Sequence, residues 1–157
     1  MSTPSALNLV VPNCSADMTG NQRFTLSDFI GKNLVLYFYP KDNTPGCTTE
    51  SIAFRDAYSD IHAHNTVVFG ISRDHIRSHE QFKTKLGLPF ELISDPDETL
   101  CALFNVIKMK NMYGKQVRGI ERSTFIIDAQ GVLVKEWRGV KVPGHVDAVL
   151  QCVCNLS

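Results

Sequence analysis

The chain has 157 residues, 43% hydrophobic and 20% charged, and its sixteen Lys and Arg balance sixteen Asp and Glu. That length suits one domain, 1–157, able to bury roughly 68–70% of its unfolded surface without staples. A neutral balance supplies no field toward nucleic acid or an anionic membrane, no apolar run nears the roughly 18 residues of a bilayer span, and Met1 to Leu9 lacks a signal-peptide pattern, so a cytoplasmic monomer acting on a small molecule or another protein is expected.

No repeat, low-complexity stretch or linker divides the chain. Asn33-Leu34-Val35-Leu36-Tyr37-Phe38-Tyr39 is apolar at almost every position and stops at Pro40, the pattern of a central strand covered on both faces. The turn-rich Pro40-Lys41-Asp42-Asn43-Thr44-Pro45-Gly46 follows. Phe54, Ala57, Tyr58 and Ile61, at i, i+3, i+4 and i+7, then predict a helix starting near Cys47. Thr66 to Ser72 reads as a second buried strand, and Asp74 to Leu86, closed by Gly87, as a second helix. A short strand around Phe90 to Ile93 and a short helix from Asp97 to Phe104 come next, and Lys108 to Arg118 reads as a polar loop. Ser123 to Ile127 and Val132 to Trp137, joined by Asp128-Ala129-Gln130-Gly131, predict an antiparallel pair. Val146, Val149, Leu150 and Val153 predict a closing helix. The fold class expected is α/β, a central mixed sheet with helices on both faces, the composition of thioredoxin-like folds.

Five cysteines, Cys14, Cys47, Cys101, Cys152 and Cys154, form an odd set without zinc-finger or CxxC spacing, which favours reduced thiols. Cys47 stands apart, because it follows a strand and a short loop and enters a helix, where free backbone N–H groups and the helix dipole stabilise a thiolate. Gly46 and the prolines before it indicate an exposed loop-to-helix junction rather than an inert core site.

The run Pro40-Lys41-Asp42-Asn43-Thr44-Pro45-Gly46-Cys47-Thr48-Thr49-Glu50, continued by Phe54-Arg55-Asp56, resembles the PxxxTxxC active-site signature of peroxiredoxins. Its flanks are similar to the PrxQ, or bacterioferritin comigratory protein, branch, from about Phe24 through Trp137. The resemblance implies a thioredoxin-like fold and a thiol peroxidase in which Cys47 attacks the hydroperoxide and becomes a sulfenic acid. It also implies catalytic roles for Thr44, which orients the peroxide, Arg122, which stabilises charge on sulfur and on the departing oxygen, and Pro40, which walls the site from water. No cofactor is implied. Thioredoxin, or glutathione with glutaredoxin, is the reductant class expected.

In PrxQ proteins a resolving cysteine stands five residues after the first or in the next helix, where this chain has Ile52 and Lys83. A one-cysteine mechanism is therefore expected, with recycling by an external thiol; resolution through Cys152 or Cys154 is the alternative. Those two flank a helical stripe and point to different sides of it. Cys101 reads as a small core residue and Cys14 as an exposed loop residue. His62 with His64, and His75 with His79, invite a metal site, but nothing completes either set at a recognisable spacing, so no metal is expected and the histidines read as partly exposed. Ala53 stands where a cysteine phosphatase needs arginine, and Thr44 where a thioredoxin needs its first cysteine. A non-catalytic thioredoxin-like binding module would lack Cys47, Thr44 or Arg122, and all three are present.

Overall fold

The computed structural model describes residues 5–156. Its centre is β3 (Asn33–Phe38), every residue of which is buried, as an apolar run covered on both faces must be. On one side β3 pairs parallel with β4 (Thr66–Ser72), and β4 in turn pairs parallel with β5 (Leu92–Ser94). On the other side β8 (Ser123–Ile127) pairs antiparallel with β3, and β9 (Leu133–Arg138) with β8. Asp128 Oδ1 accepts the N–H groups of Gln130 and Val132 in the β8–β9 turn, and Gly131 supplies the positive φ of 82° that closes it. Among the described residues, the seven-stranded mixed sheet and its four α-helices make the α/β, thioredoxin-like architecture expected.

Two strands that the sequence pattern does not announce extend the far edge. β1 (Ser15–Met18) and β2 (Gln22–Thr25) form a hairpin that joins the sheet through β5, giving the order β2-β1-β5-β4-β3-β8-β9. Each has only four residues, too few for a period to register. Residues 108–118, read above as loop, are instead a second hairpin, β6 (Ile107–Met112) and β7 (Lys115–Ile120), which pair with each other apart from the main sheet. Apolar and polar residues alternate only over Ile107-Lys108-Met109-Lys110 and around Val117, runs too short to stand out among polar neighbours, and most positions of both strands are at least partly exposed. The signal available was the turn itself, Tyr113-Gly114, which takes positive φ at both positions.

Helices cover the two sheet faces unequally. α1 (Pro45–His62), α2 (Ile76–Leu86) and α4 (His145–Cys154) bury Phe54, Ile61, Phe82, Leu86, Val146, Val149 and Val153 against Val35, Tyr37, Val68 and Ile126. The opposite face carries the short α3 (Thr99–Leu103) and a 3₁₀ turn (Leu26–Phe29), packed on Leu34, Leu36, Phe38 and Phe125. Among the described residues no helix is long and apolar enough to cross a membrane.

Candidate active site

The site lies at the C-terminal edge of the parallel strands, where loops leave an α/β sheet. Tyr39 still bonds to the sheet, its N–H donating to the Ile71 carbonyl at 3.0 Å, and Pro40 then turns the chain out. Asn43 takes a positive φ of 64°, which an asparagine tolerates in a tight turn. Thr44 is the N-cap of α1 and Pro45 its first residue, which gives up no needed N–H. The first intrahelical bond runs from Thr48 N–H to the Thr44 carbonyl, at 2.9 Å. Cys47 thus sits in the first turn, where backbone N–H groups are without helical partners.

The register of β8 on β3 brings a residue 75 positions away to this cysteine. Because the two strands are antiparallel, Ser123 at the start of β8 faces Phe38 at the end of β3. Arg122, one residue earlier, therefore stands at the same edge as the loop after β3. Its Nη2 donates to Cys47 Sγ at 3.3 Å, and its Nη1 to Glu50 Oε1 at 2.7 Å. Its own carbonyl accepts the Val140 N–H at 2.9 Å, fixing the backbone from the far side.

Pro45 and Gly46 are exposed as expected of the junction, but the exposure stops there: Cys47 and Glu50 are both fully buried on the same stripe of α1 as Phe54, while Arg122 is part-exposed. Burial pushes the Glu50 carboxyl up to about 7 against the pull of Arg122. Its second oxygen, Oε2, has no hydrogen-bond partner. Burial alone would lower the Arg122 value, but Glu50 and then Cys47 hold it above the ordinary range. The guanidinium is a permanent cation held between a carboxylate and a sulfur, with donors aimed at the place where charge can form.

Thr44 is half-buried and makes no side-chain cap; its hydroxyl instead donates to the Lys41 carbonyl at 2.8 Å. With that proton committed, its lone pairs remain to accept a hydrogen bond. Pro40 is half-buried at the root of the loop, beside Lys41, Arg73, Asp74 and His75. Glu50 enters the expectations above only as a letter in the motif. Its signal was position: at i+3 from Cys47 and i−4 from Phe54, it is a carboxylate on a buried stripe.

The remaining thiols lie elsewhere. Cys101 is buried and Cys14 half-buried in the core on the opposite sheet face from Cys47. Burial, then the charge of Asp95, pushes Cys14 up to about 11 and Cys101 higher. The exposed-loop reading of Cys14 is thus corrected by its packing. Cys154 is exposed, with Sγ 3.3 Å from His64 Nε2, at the far end of an α1 that spans ~27 Å. Cys152, half-buried on α4, belongs to that same end. His79 is a second correction, being fully buried rather than partly exposed: Nδ1 meets Asp42 Oδ2 at 2.8 Å and Nε2 meets the Ile93 carbonyl at 3.0 Å.

A cysteine under an arginine at the end of a central strand, in a thioredoxin-like sheet, defines a thiol-based oxidoreductase. Residues 7–136 match the AhpC/TSA family. The chain is 52% identical over 133 residues to Peroxiredoxin Bcp of Xanthomonas campestris pv. campestris, covering 85% of this chain and 83% of the relative. A mutant of Xylella fastidiosa PrxQ superposes with a TM-score of 0.91 at 43% identity, over 98% of each chain. The bacterioferritin comigratory protein of Xanthomonas campestris does so with a TM-score of 0.86 at 48% identity, over 90% of each. The chain belongs to the peroxiredoxins, in their PrxQ/Bcp branch, and is a thiol peroxidase.

Proposed function

We propose that Cys47 is the peroxidatic residue of a one-cysteine cycle, acting on hydrogen peroxide and organic hydroperoxides. The observation that carries this reading is the 3.3 Å contact from Arg122 Nη2 to Cys47 Sγ in the first turn of α1. The thiolate attacks the terminal peroxide oxygen, the O–O bond breaks, and Cys47 is left as a sulfenic acid. The departing oxygen takes the bond pair and a proton, leaving as water or an alcohol. Arg122 stabilises negative charge on sulfur before the attack and on the leaving oxygen during it. Thr44 accepts the peroxide O–H, which aims the terminal oxygen at Sγ. Pro40, which has no N–H to offer water, walls the loop side. The alkyl peroxide reduction activity of the Xanthomonas campestris bacterioferritin comigratory protein supports organic substrates here.

Recycling falls to an external thiol, thioredoxin or glutathione with glutaredoxin. The separation of Cys14, Cys101, Cys152 and Cys154 from Cys47 supports that reading. The working unit is the whole chain, 1–157, a cytoplasmic monomer.

The test is steady-state reduction of hydrogen peroxide and cumene hydroperoxide with thioredoxin, or with glutathione and glutaredoxin, comparing wild type with Cys47→Ser. Turnover lost in Cys47→Ser and supported by one reductant system is the expected result. Retained turnover in that variant would overturn the assignment of Cys47.

A further inference from the structure

The mechanism leaves unused a buried polar cluster beneath the loop that carries Pro40 and Thr44. Asp42 is its hub. Asp42 Oδ1 accepts the Tyr39 hydroxyl at 2.7 Å, while Oδ2 accepts Ser78 Oγ–H and His79 Nδ1–H, each at 2.8 Å. Both Ser78 and His79 belong to α2. His79 Nε2 faces the Ile93 carbonyl at 3.0 Å, an atom that can only accept. The nearby Ser72 hydroxyl is no donor to that nitrogen, because its proton goes to Asp74 Oδ2 at 2.5 Å. Both ring nitrogens thus face acceptors, Asp42 Oδ2 and the Ile93 carbonyl, and a ring that donates from both forms a buried ion pair with Asp42. Burial raises the Asp42 carboxyl, but the bonds and charge of His79 outweigh it and hold the group below its usual value.

The pair reaches the substrate side through one peptide plane. The Asp42 N–H donates to Asp74 Oδ2 at 2.9 Å, and the carbonyl of that same plane, Lys41 O, accepts the Thr44 hydroxyl at 2.8 Å. The plane is rigid, so whatever fixes Asp42 also fixes the acceptor that orients Thr44. We propose that the Asp42–His79 ion pair is a clasp from α2 that sets the aim of the Thr44 hydroxyl, making His79 a positioning residue for the peroxidase reaction. This rests on the assignment of Thr44 to the peroxide. The same three side chains, Asp42, Asp74 and His79, place one ligand atom each within 4.8 Å of one another, yet donors already occupy both Asp42 oxygens and Asp74 Oδ2. Hydrogen bonding, and not a cation, accounts for the grouping.

The experiment compares two rates at Cys47: oxidation by hydrogen peroxide in stopped flow, and alkylation by iodoacetamide, which needs no peroxide positioning. His79→Leu removes both donors at similar bulk, Asp42→Asn keeps the shape but not the charge, and His79→Asn restores one donor toward Asp42. The clasp requires the peroxide rate to fall by about a hundredfold in His79→Leu, the effect of a 1 Å misplacement. Alkylation should be unchanged, and His79→Asn should recover part of the loss. If His79→Leu fails to fold, Asp42→Asn decides, with the same split expected. A wild-type peroxide rate in these variants, or alkylation falling in step with oxidation, would overturn the proposal. Thr44→Val run alongside separates the two assignments. If it is slow while His79→Leu is fast, the clasp alone falls; if it reacts like wild type, the reading of Thr44 falls and the clasp with it.

Discussion

The guanidinium of Arg122 lies directly over Gly46, so close that a Cβ at that position would stand 3.1 Å from Nη2. The contact needs no unusual backbone at Gly46, only the lack of a side chain. Gly46→Ala should therefore fold as well as wild type, since alanine suits a helix better than glycine. It should nonetheless shift the guanidinium by a few tenths of an ångström and slow oxidation of Cys47 by about tenfold. Thermal unfolding and stopped-flow oxidation, read together, check this; an unchanged rate would show that the close approach does not matter.

Arg122→Met removes the cation and strands the Glu50 carboxyl in a fully buried position. Losing one member of a buried pair typically destabilises by about 3–5 kcal/mol where the remaining charge stays ionised, and by less here, because a Glu50 carboxyl already raised to about 7 takes up a proton once the cation is gone. The double variant Arg122→Met/Glu50→Gln should recover part of that loss in urea unfolding. Oxidation of Cys47 should be slowed at least about a hundredfold in both, because the missing donor faces the reacting atoms. Recovery of stability together with activity would contradict the role given to Arg122.

Glu50 also predicts a slope of stability against pH. Its carboxyl titrates near the ordinary 4.5 when unfolded and near about 7 in the fold, because burial raises it. Between those values the folded protein binds more protons, so stability from this group is lost as pH rises from about 4.5 to about 7. At ~1.4 kcal/mol per pH unit the whole change is about 3 kcal/mol. Glu50→Gln should abolish that decline in urea unfolding at pH 5, 6 and 7, and parallel curves for the two proteins would refute it.

One equivalent of peroxide should add one oxygen to the intact mass under non-reducing conditions, or give a dimedone adduct that maps to Cys47. A loss of two hydrogens would instead mean an internal disulfide. If the partner mapped to Cys152 or Cys154, the far end of α4 would have to come to the site, and the one-cysteine cycle would be wrong. Excess peroxide should carry the sulfenic acid onward to the sulfinic state and inactivate the enzyme.

The sequence by itself determined the central strand, the helix that starts near Cys47, the β8–β9 hairpin and the identity of the motif around Pro40, Thr44 and Cys47. The elements rest on local rules, apolar runs, helical spacing and turn residues read within a few positions, whereas the motif rests on its resemblance to the PxxxTxxC signature. The hairpin at residues 107–120 and the strands at residues 15–25 escaped, because mostly solvated or four-residue strands carry little periodic signal. The resemblance already set Arg122 at Cys47; only the tertiary structure decided that the same guanidinium also meets Glu50, since both contacts depend on the register of β8 on β3, across 75 positions for Cys47. It alone also placed His79 in the core under Asp42, across 37 positions, where the i, i+4 pattern had suggested only a helix surface. Contacts between distant segments are set by how strands pair and helices pack, and a local pattern holds no information about them.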